Sequence, residues 1–346
     1  MNNEGRQLHF DDVKIEPMSR SITSSTRFSL SGIVAILVSG FAVLAPAQQF
    51  NQRHAAVHLL RSGALTVEVM DPDAPDRYYR GNRFSPVAAV LRAVLDGKDF
   101  LFSPVAHNPE NENGGLAMEF DIESPEGPPG FADAAIGEGF LKIGVGVLRK
   151  EEPVYRFFKP AEMIEPARTT VAWGADCADF SQECAGINGL AYKLAAEVRL
   201  QPDSITIRYR LTNSGTKAFT TEQYVHNYFS FSDAPVGPDY EVQFPYDVDA
   251  AGMEPPQRVD GRSIFYEETL VKAVNIRVPM PQNYSGSNTA SVRHRANGQK
   301  IVATTSIPGK YTLIHARSKY ICPEQFVLLS LEPGKSAEWW RQYKLY

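Results

Sequence analysis

The most constraining feature of the sequence is a run of strict alternation, Ser204–Thr212, in which every second residue is apolar. Side chains of a β-strand point alternately to its two faces, so this run predicts a strand with one buried face and one open face. The turn-forming segment Gln201-Pro202-Asp203 joins it to a second alternating run, residues 191–200, which predicts a hairpin. The residues on the predicted buried face of the first run are Ile205, Ile207, Tyr209 and Leu211.

Short apolar or alternating runs recur along the rest of the chain between turn-forming segments. Pro and Gly, 24 and 25 residues respectively, separate these runs, and no segment of helical period and useful length follows the N-terminal region. This pattern is typical of a large antiparallel β-sandwich, and all-β chains of this length often form one domain. We therefore predict an all-β fold with a single domain at residues 52–346. Further predicted strands include residues 64–70, 140–148, 326–331 and 336–346.

Four local predictions concern turns, loops and burial. Asp96-Gly97 separates two apolar runs and is a favoured dipeptide of tight hairpin turns. Residues 103–118 lack any period and are rich in turn formers, which predicts a long loop. Lys142 interrupts an apolar run, and we expect it at a strand edge with its ammonium group reaching solvent. Trp339 and Trp340 are adjacent in a predicted strand, so one should face the core and the other solvent, where it could stack a sugar ring.

Composition and missing motifs exclude several functional classes. With 43% hydrophobic and 22% charged residues, the chain can bury a large core and is not disordered by composition. A net charge of −5, without a cluster of Lys, Arg and interleaved aromatic residues, argues against a nucleic-acid partner. The sequence motifs of serine hydrolases, P-loop proteins, zinc peptidases and dinucleotide-binding proteins are missing.

Residues 1–47 have the features of an N-terminal extension and a secretory signal peptide. Residues 30–44 are apolar and uncharged, two arginines precede them, and Ala45-Pro46-Ala47 is a small-x-small cleavage pattern. We predict cleavage after Ala47, a periplasmic or secreted protein, and no stable membrane span in the mature chain. A translation start at Met18 would give the signal an ordinary length. The alternative is an uncleaved anchor helix, although the apolar run is shorter than the roughly 20 residues that a full span needs.

The three cysteines leave two interpretations open. Cys177 and Cys184 could close a small disulfide loop in an oxidising compartment, and Cys322 would then remain unpaired. Two free thiols are the alternative. Metal ligation by the pair is disfavoured, because no histidine lies close to it in sequence and the spacing is not that of a zinc finger.

Candidate chemistry is concentrated in residues 221–231, Thr-Glu-Gln-Tyr-Val-His-Asn-Tyr-Phe-Ser-Phe. His226 stands there among aromatic and amide side chains, where an ordinary sandwich strand carries Thr, Lys or Glu. His294 and His315 are expected to be surface or structural residues, with His315 the better site candidate. Histidine, glutamate, arginine and asparagine on strands and loops suit acid–base chemistry on a polar, uncharged substrate, and sugars are the obvious class.

Three sequence elements, in this order, resemble those of the galactose mutarotase (aldose 1-epimerase) superfamily. The first is Arg80-Gly81-Asn82-Arg83, which is followed by the Asp-Gly-Lys hairpin, and the second is Val225–Ser230. The third is Pro323-Glu324-Gln325, which precedes a strand, the turn at Pro333-Gly334 and a last aromatic strand. The resemblance spans the chain from about residue 78 onward. It implies a β-supersandwich with a sugar cleft on one sheet.

The resemblance also implies roles for individual residues. Glu324 would take the proton of the anomeric hydroxyl, His226 would protonate the ring oxygen, and Asn82 and Arg83 would hold sugar hydroxyls. Two positioned groups suffice to open a hemiacetal ring, so no metal or cofactor is implied. Arg83 near the cleft would favour an ionised Glu324. Each residue also has a structural alternative: His226 as a hydrogen-bonded strand residue, Glu324 as a solvated loop carboxylate, and Arg83 as the partner of another carboxylate.

The chain departs from the superfamily pattern in the loop before Gly114-Gly115. The superfamily has a second histidine there, in Asn-His-x-His-Gly-Gly, whereas this chain has Glu110-Asn111-Glu112-Asn113, and the nearest histidine is His107. Either His107 reaches the site from a remodelled loop, or Asn113 and Glu119 replace the missing imidazole as hydrogen-bonding groups. The departure opens the possibility of a different sugar or a different reaction.

The functional prediction is a carbohydrate-active isomerase of aldose 1-epimerase type, which interconverts sugar anomers by acid–base ring opening. One alternative is a noncatalytic sugar-binding module that keeps the cleft. Another is a lyase or glycosidase on the same scaffold, which would act on an oligosaccharide through the acidic loop at residues 103–130. In all three cases the predicted partner is a small-molecule sugar or an oligosaccharide.

Overall fold

The structure, a computed structural model, describes residues 50–122, 126–251 and 253–346. Across these residues the regular elements are strands, and no helix is present. Accordingly, this part of the chain contains no helix that is long and apolar enough to cross a membrane. The predicted signal peptide and its cleavage site after Ala47 lie outside the described residues.

The strands of the described residues alternate with short turns from beginning to end. The first half of the chain contains β1 (Val57–Ser62), β2 (Leu65–Met70), β3 (Val90–Leu95), β4 (Lys98–Asp99), β5 (Leu116–Phe120), β6 (Gly139–Lys142), β7 (Gly146–Arg149), β8 (Met163–Pro166) and β9 (Arg168–Trp173). The middle contains β10 (Cys177–Ile187), β11 (Leu190–Gln201), β12 (Ser204–Asn213), β13 (Phe219–Asn227), β14 (Tyr240–Gln243), β15 (Gln257–Asp260) and β16 (Ser263–Tyr266). The remainder contains β17 (Val274–Pro279), β18 (Asn288–His294), β19 (Lys300–Thr305), β20 (Tyr311–Arg317), β21 (Tyr320–Leu331) and β22 (Ser336–Leu345).

Most of these strands belong to two large antiparallel sheets. The first sheet has the order β1-β2-β3-β5-β13-β21-β20-β17, with β4 paired to β3. The second has the order β15-β16-β14-β18-β19-β22-β12-β11-β10-β9, so β22 lies between β19 and β12. A small sheet, β6-β7-β8, accompanies them. The predicted all-β antiparallel fold is confirmed.

Contacts between the two large sheets show which face of β13 points to the second sheet. The Phe229 and Tyr343 rings meet edge to face at 6.2 Å, and Nη2 of Arg341 donates to Oε1 of Gln223 at 2.8 Å. Because side chains alternate along a strand, odd-numbered residues of β13 point to the second sheet and even-numbered ones point away from it. We call the face that carries the even-numbered residues of β13 the outer face of the first sheet.

The alternating run that opened the sequence analysis forms the hairpin predicted for it. β11 and β12 pair antiparallel, with Leu194 opposite Leu211. Trp339 is buried and stacks on Tyr209 with ring centroids 5.1 Å apart, whereas Trp340 is 37% exposed. Both belong to the second sheet, which separates Trp340 from the outer face of the first sheet.

The predicted tight turn at Asp96-Gly97 is present between β3 and β4. Asp96 and Gly97 have φ values of 51° and 76°, which is the left-handed conformation that such hairpin turns require. The predicted long loop is also present, although it ends earlier than expected, because β5 begins at Leu116.

Two predictions about residues 140–148 are wrong. This run is not one strand but the hairpin β6–β7, because Gly144 and Gly146 have φ values of 83° and 145° and turn the chain. Lys142 does lie on β6, an edge strand of the small sheet, but its ammonium group does not reach solvent. The side chain is fully buried because Glu119 and the Phe120 carbonyl oxygen are available to it inside the protein.

The possible disulfide between Cys177 and Cys184 is excluded by the geometry of β10. Both residues belong to this one continuous strand, and both are free thiols. Seven residues of extended chain separate Cα atoms by about 23 Å, whereas a disulfide requires roughly 7 Å or less. The alternative of two free thiols is therefore correct.

Candidate functional site

His226 and Glu324 meet on the outer face of the first sheet. β13 and β21 pair with Gln223 opposite Val327, and an isolated bridge joins Phe229 to Ile321 in the same register. This register sets His226 opposite Glu324, and Nδ1 of the imidazole lies 3.1 Å from Oε1 of the carboxylate. The sequence-predicted acid and base are thus neighbours in the fold.

The pair is shielded from solvent. His226 is 7% exposed and Glu324 is 2% exposed. Burial, with smaller contributions from His315 and Arg83, lowers the pKa of His226 well below the usual value of 6.5. The imidazole is therefore neutral near pH 7 in the free protein.

Aromatic side chains fix the orientation of the imidazole ring. Tyr228, two residues further along the same face, stacks on His226 with centroids 4.1 Å apart and planes 5° from parallel. The Phe84 ring approaches His226 edge-on at 6.0 Å. His315 also approaches edge-on, at 5.7 Å, and its Nδ1 lies 2.8 Å from Oδ1 of Asn275. Burial lowers the pKa of His315 to about 4, so this second imidazole is also neutral.

Cys322 completes the group around the pair. It lies on β21 two residues before Glu324, so both side chains point to the outer face. One ligating atom from each of His226, Cys322 and Glu324 can be chosen such that all lie within 4.8 Å of one another. Burial, together with the nearby carboxylate of Glu324, raises the pKa of the Cys322 thiol well above its usual value.

A second polar cluster is built around Glu119 on β5. Its carboxylate, fully buried, accepts a hydrogen bond from Nε of Arg83 at 2.8 Å and another from the Tyr224 hydroxyl. Nη2 of Arg83 donates to the same hydroxyl at 3.2 Å, and Nζ of Lys142 lies 3.9 Å from Glu119. Although burial opposes its charge, Tyr155, Glu119 and Asp121 together raise the pKa of Lys142.

The structure gives Arg83 the carboxylate partner that the sequence analysis held as its structural alternative. Its ion pair is with Glu119, and a role in holding sugar hydroxyls stays a prediction. Its guanidinium carbon also lies over the Phe84 ring at 4.4 Å and the Phe157 ring at 4.5 Å. Glu119 belongs to this buried cluster through Oε2, and its replacement of the superfamily's second histidine stays a prediction.

The remaining predicted binding residues take part in local contacts. Nδ2 of Asn82 donates to the Ala161 carbonyl oxygen. His107 stacks on Tyr78 at 3.9 Å, and its ring nitrogens face the carbonyl oxygens of Val105 and Tyr78. Oδ1 of Asn113 accepts from the Gly114 amide at 2.8 Å, which orders the Gly-Gly loop. None of these contacts brings Asn82, His107 or Asn113 to the His226–Glu324 pair.

Several residues at the site were not singled out from the sequence. Tyr224 and Tyr228 lie two residues on either side of His226, and Cys322 lies two residues before Glu324, so strand alternation alone could have placed them on the same face. His315, expected to be surface or structural but the better site candidate of the two remaining histidines, lies in contact with the His226 ring. Strand alternation could not have placed Lys142 near this site, because its strand belongs to another sheet.

A groove continues along the same outer face. Its volume is about 1110 Å³, and its floor includes Thr220 and Glu222 of β13 and Leu328 and Ser330 of β21. Lys310 reaches its wall and lies 3.5 Å from Glu222. Glu222 is four residues from His226 on the same strand, which corresponds to about 13 Å. The groove therefore lies beside the candidate site rather than over it.

The two large antiparallel sheets are those of the galactose mutarotase-like fold, and comparison with solved structures confirms this fold assignment. No protein-family model matches the sequence, and no curated protein matches it either.

Three of the similar solved structures come from bacteria. A candidate aldose 1-epimerase from Escherichia coli K12 is 15% identical, the match covers 84% of this chain and 98% of that one, and the TM-score is 0.54. A protein from Synechocystis sp. PCC 6803 is 14% identical, with 86% and 97% coverage and a TM-score of 0.53. A galactose mutarotase related enzyme from Lactobacillus acidophilus is 10% identical, with 84% and 97% coverage and a TM-score of 0.51. At these identities the similarity establishes the fold.

Proposed function

We propose that the protein binds a sugar over His226 and Glu324 and interconverts its anomers by opening and closing the hemiacetal ring. The observation that carries this proposal is the 3.1 Å approach of the imidazole to the carboxylate on the outer face of a galactose mutarotase-like sheet. Two groups this close can serve adjacent oxygens of one substrate, which is what ring opening requires.

The reaction needs one proton removed and one delivered. Glu324 takes the proton of the anomeric hydroxyl, and His226 gives a proton to the ring oxygen as its bond to the anomeric carbon breaks. Rotation about the next carbon–carbon bond, followed by the reverse proton transfers, closes the ring as the other anomer. Tyr228 holds the imidazole plane through its stacking contact.

The lowered pKa of His226 has a consequence for the rate. An acid must carry its proton, and the protonated form of His226 becomes more populated only as the pH falls below the usual value of 6.5. The rate should therefore rise as the pH is lowered from about 6.5 to about 5. A rate that falls over the same interval would assign His226 the role of base instead.

The test is polarimetry or proton NMR on freshly dissolved α-anomers of glucose, galactose and other aldoses. Replacing one member of an acid–base pair typically lowers the rate by about 10²- to 10⁴-fold, so His226→Ala and Glu324→Gln should each lose most of the acceleration. His58→Ala is the matched control, because this imidazole is 44% exposed and lies on another strand. No acceleration by folded wild-type protein with any aldose would overturn the proposal.

The groove favours a second candidate function, the binding or cleavage of an oligosaccharide. Its volume of about 1110 Å³ is above the roughly 300–1,000 Å³ of ordinary small-molecule sites, and polar side chains such as Thr220, Glu222 and Ser330 line it. Ser330→Trp would place a large ring in the groove without replacing His226 or Glu324. If oligosaccharides are the ligands, calorimetry should show that this variant loses oligosaccharide affinity and keeps monosaccharide affinity. Equal effects on both would count against this candidate.

A further inference from the structure

The donor atoms around His226 form a set that acid–base chemistry on a sugar does not need. Ring opening uses the imidazole and the carboxylate, but the Cys322 thiol lies with them, and atoms of all three side chains fall within 4.8 Å of one another. A buried cysteine is often only a small apolar residue. Here it shares a face with a nitrogen and an oxygen ligand, so the set is one nitrogen, one sulfur and one oxygen.

We propose that His226, Cys322 and Glu324 bind a thiophilic divalent cation of the Zn²⁺ type. Zinc binds imidazole nitrogen, thiolate sulfur and carboxylate oxygen, and its catalytic sites commonly have three protein ligands and one open position. The three residues supply that number from two adjacent strands.

The spacing of the donor atoms fits a tetrahedral ion. Zinc bonds of about 2.0–2.3 Å set ligand atoms roughly 3.3–3.6 Å apart. Nδ1 of His226 and Oε1 of Glu324 are 3.1 Å apart, and the widest separation in the set is no more than 4.8 Å. Small side-chain rotations therefore bring the three atoms onto one ion, without a change in strand register.

An independent observation concerns Nδ1 of His226. This atom is buried and has no hydrogen-bond partner among the described residues, because its approach to Glu324 does not have hydrogen-bond geometry. A buried polar atom without a hydrogen bond is costly, and a metal ion is one of the groups that satisfy it. The stacked Tyr228 ring keeps this nitrogen directed at the cluster.

A bound ion would regulate the proposed interconversion of sugar anomers. This regulatory effect rests on the proposed function. The ion takes the lone pairs of His226 and Glu324, so neither group can exchange protons with a sugar. Binding and turnover would then exclude one another. The metal site itself does not depend on the sugar chemistry, since it can be measured without any substrate.

The experiment uses Co²⁺ as a spectroscopic substitute for Zn²⁺. The Cys177→Ser/Cys184→Ser double variant of the chain leaves Cys322 as the one remaining thiol. Anaerobic titration of this reduced double variant with Co²⁺ should give a near-ultraviolet thiolate-to-cobalt charge-transfer band and visible bands of tetrahedral intensity, saturating at one ion per chain. The addition of Zn²⁺ should abolish these bands by displacement.

Variants then identify the ligands. Second-shell changes alone commonly lower metal affinity about 10- to 100-fold, so Cys322→Ser in the same background should remove the charge-transfer band and lower affinity by about 100-fold or more. His226→Ala and Glu324→Gln should keep the thiolate band but weaken binding. Circular dichroism checks that each variant is folded. If Cys322→Ser does not fold, the cobalt titration of the double variant still tests the metal site.

Two results would overturn the metal site. One is the absence of a charge-transfer band when the folded double variant is titrated with Co²⁺. The other is a band that survives Cys322→Ser. A failure of the anomer assay would leave the cobalt result unaffected, so the two proposals can fail separately.

Discussion

Glu119→Gln is the substitution for which the structure gives the clearest expected free energy. The Glu119 carboxylate is fully buried, pairs with Arg83 at 2.8 Å and lies 3.9 Å from the fully buried ammonium group of Lys142. The amide of glutamine keeps the shape but removes the negative charge, so two cations remain in the protein interior facing a neutral group. Removing one partner of a buried ion pair typically costs about 3–5 kcal/mol.

The expected loss lies at the lower end of that range. The Arg83 side chain keeps 23% exposure, so part of its charge can be hydrated after the substitution. A loss of about 3 kcal/mol, with a urea dependence of about 3 kcal/mol per molar for a chain of this size, moves the unfolding midpoint down by about 1 M. Equilibrium urea unfolding followed by circular dichroism measures this shift directly.

The chain provides a control with matched geometry. Nε of Arg149 lies 2.8 Å from Glu162, the same distance as in the Arg83–Glu119 pair, but both side chains are exposed to solvent. Glu162→Gln should leave the midpoint unchanged within error, because water screens and replaces an exposed pair. If Glu119→Gln and Glu162→Gln shift the midpoint equally, burial does not decide the strength of these pairs and the reasoning fails.

Three further outcomes are expected. Burial raises the pKa of Asp121 to about 7 from 3.8, so the folded state holds a proton that the unfolded state lacks between these values. Unfolding free energy should therefore fall as pH rises from about 4 to about 7, and Asp121→Asn should flatten this slope in urea titrations. Gly115 has a φ of 70°, and a Cβ there would overlap the Val90 carbonyl oxygen. Gly115→Ala should therefore lower the melting temperature clearly more than Gly137→Ala, where φ is 93° and the space is open; equal losses would mean that the overlap relaxes. Trp339→Ala should cost about 3–5 kcal/mol, whereas Trp340→Ala should be near neutral by the same urea assay.

Much of the fold could be predicted because alternation is local information. Ser204–Thr212 carries its own period, and the hairpin with residues 191–200 needed only the turn between them. The strands around Lys142 were harder to predict, because an apolar run that contains two glycines is compatible with either one strand or a hairpin. The sequence left open whether Cys177 and Cys184 close a disulfide loop or are free thiols, and in the structure this region alternates between buried and exposed positions as a strand.

The candidate site could be predicted only in part, because it depends on the register between strands far apart in sequence. The resemblance named His226 and Glu324, but their 3.1 Å contact follows from the pairing of β13 with β21. The sequence left open whether Arg83 holds sugar hydroxyls or pairs with a carboxylate, because no pattern revealed that Glu119 would be buried beside it. Cys322 was considered only as a leftover thiol, since its position on the outer face is set by the same register.

The position of β22 in the second sheet has a consequence for how the protein is made. β12 and β19 are both synthesised before β22, yet each of them pairs with it along one edge. During translation the β11–β12 hairpin can form as soon as it emerges, but its β12 edge stays unpaired until residues 336–345 have left the ribosome. An open strand edge is a template for pairing with other chains. The nascent protein is therefore most exposed to aggregation late in synthesis, when almost every strand exists and the one that joins the two halves of the sheet does not.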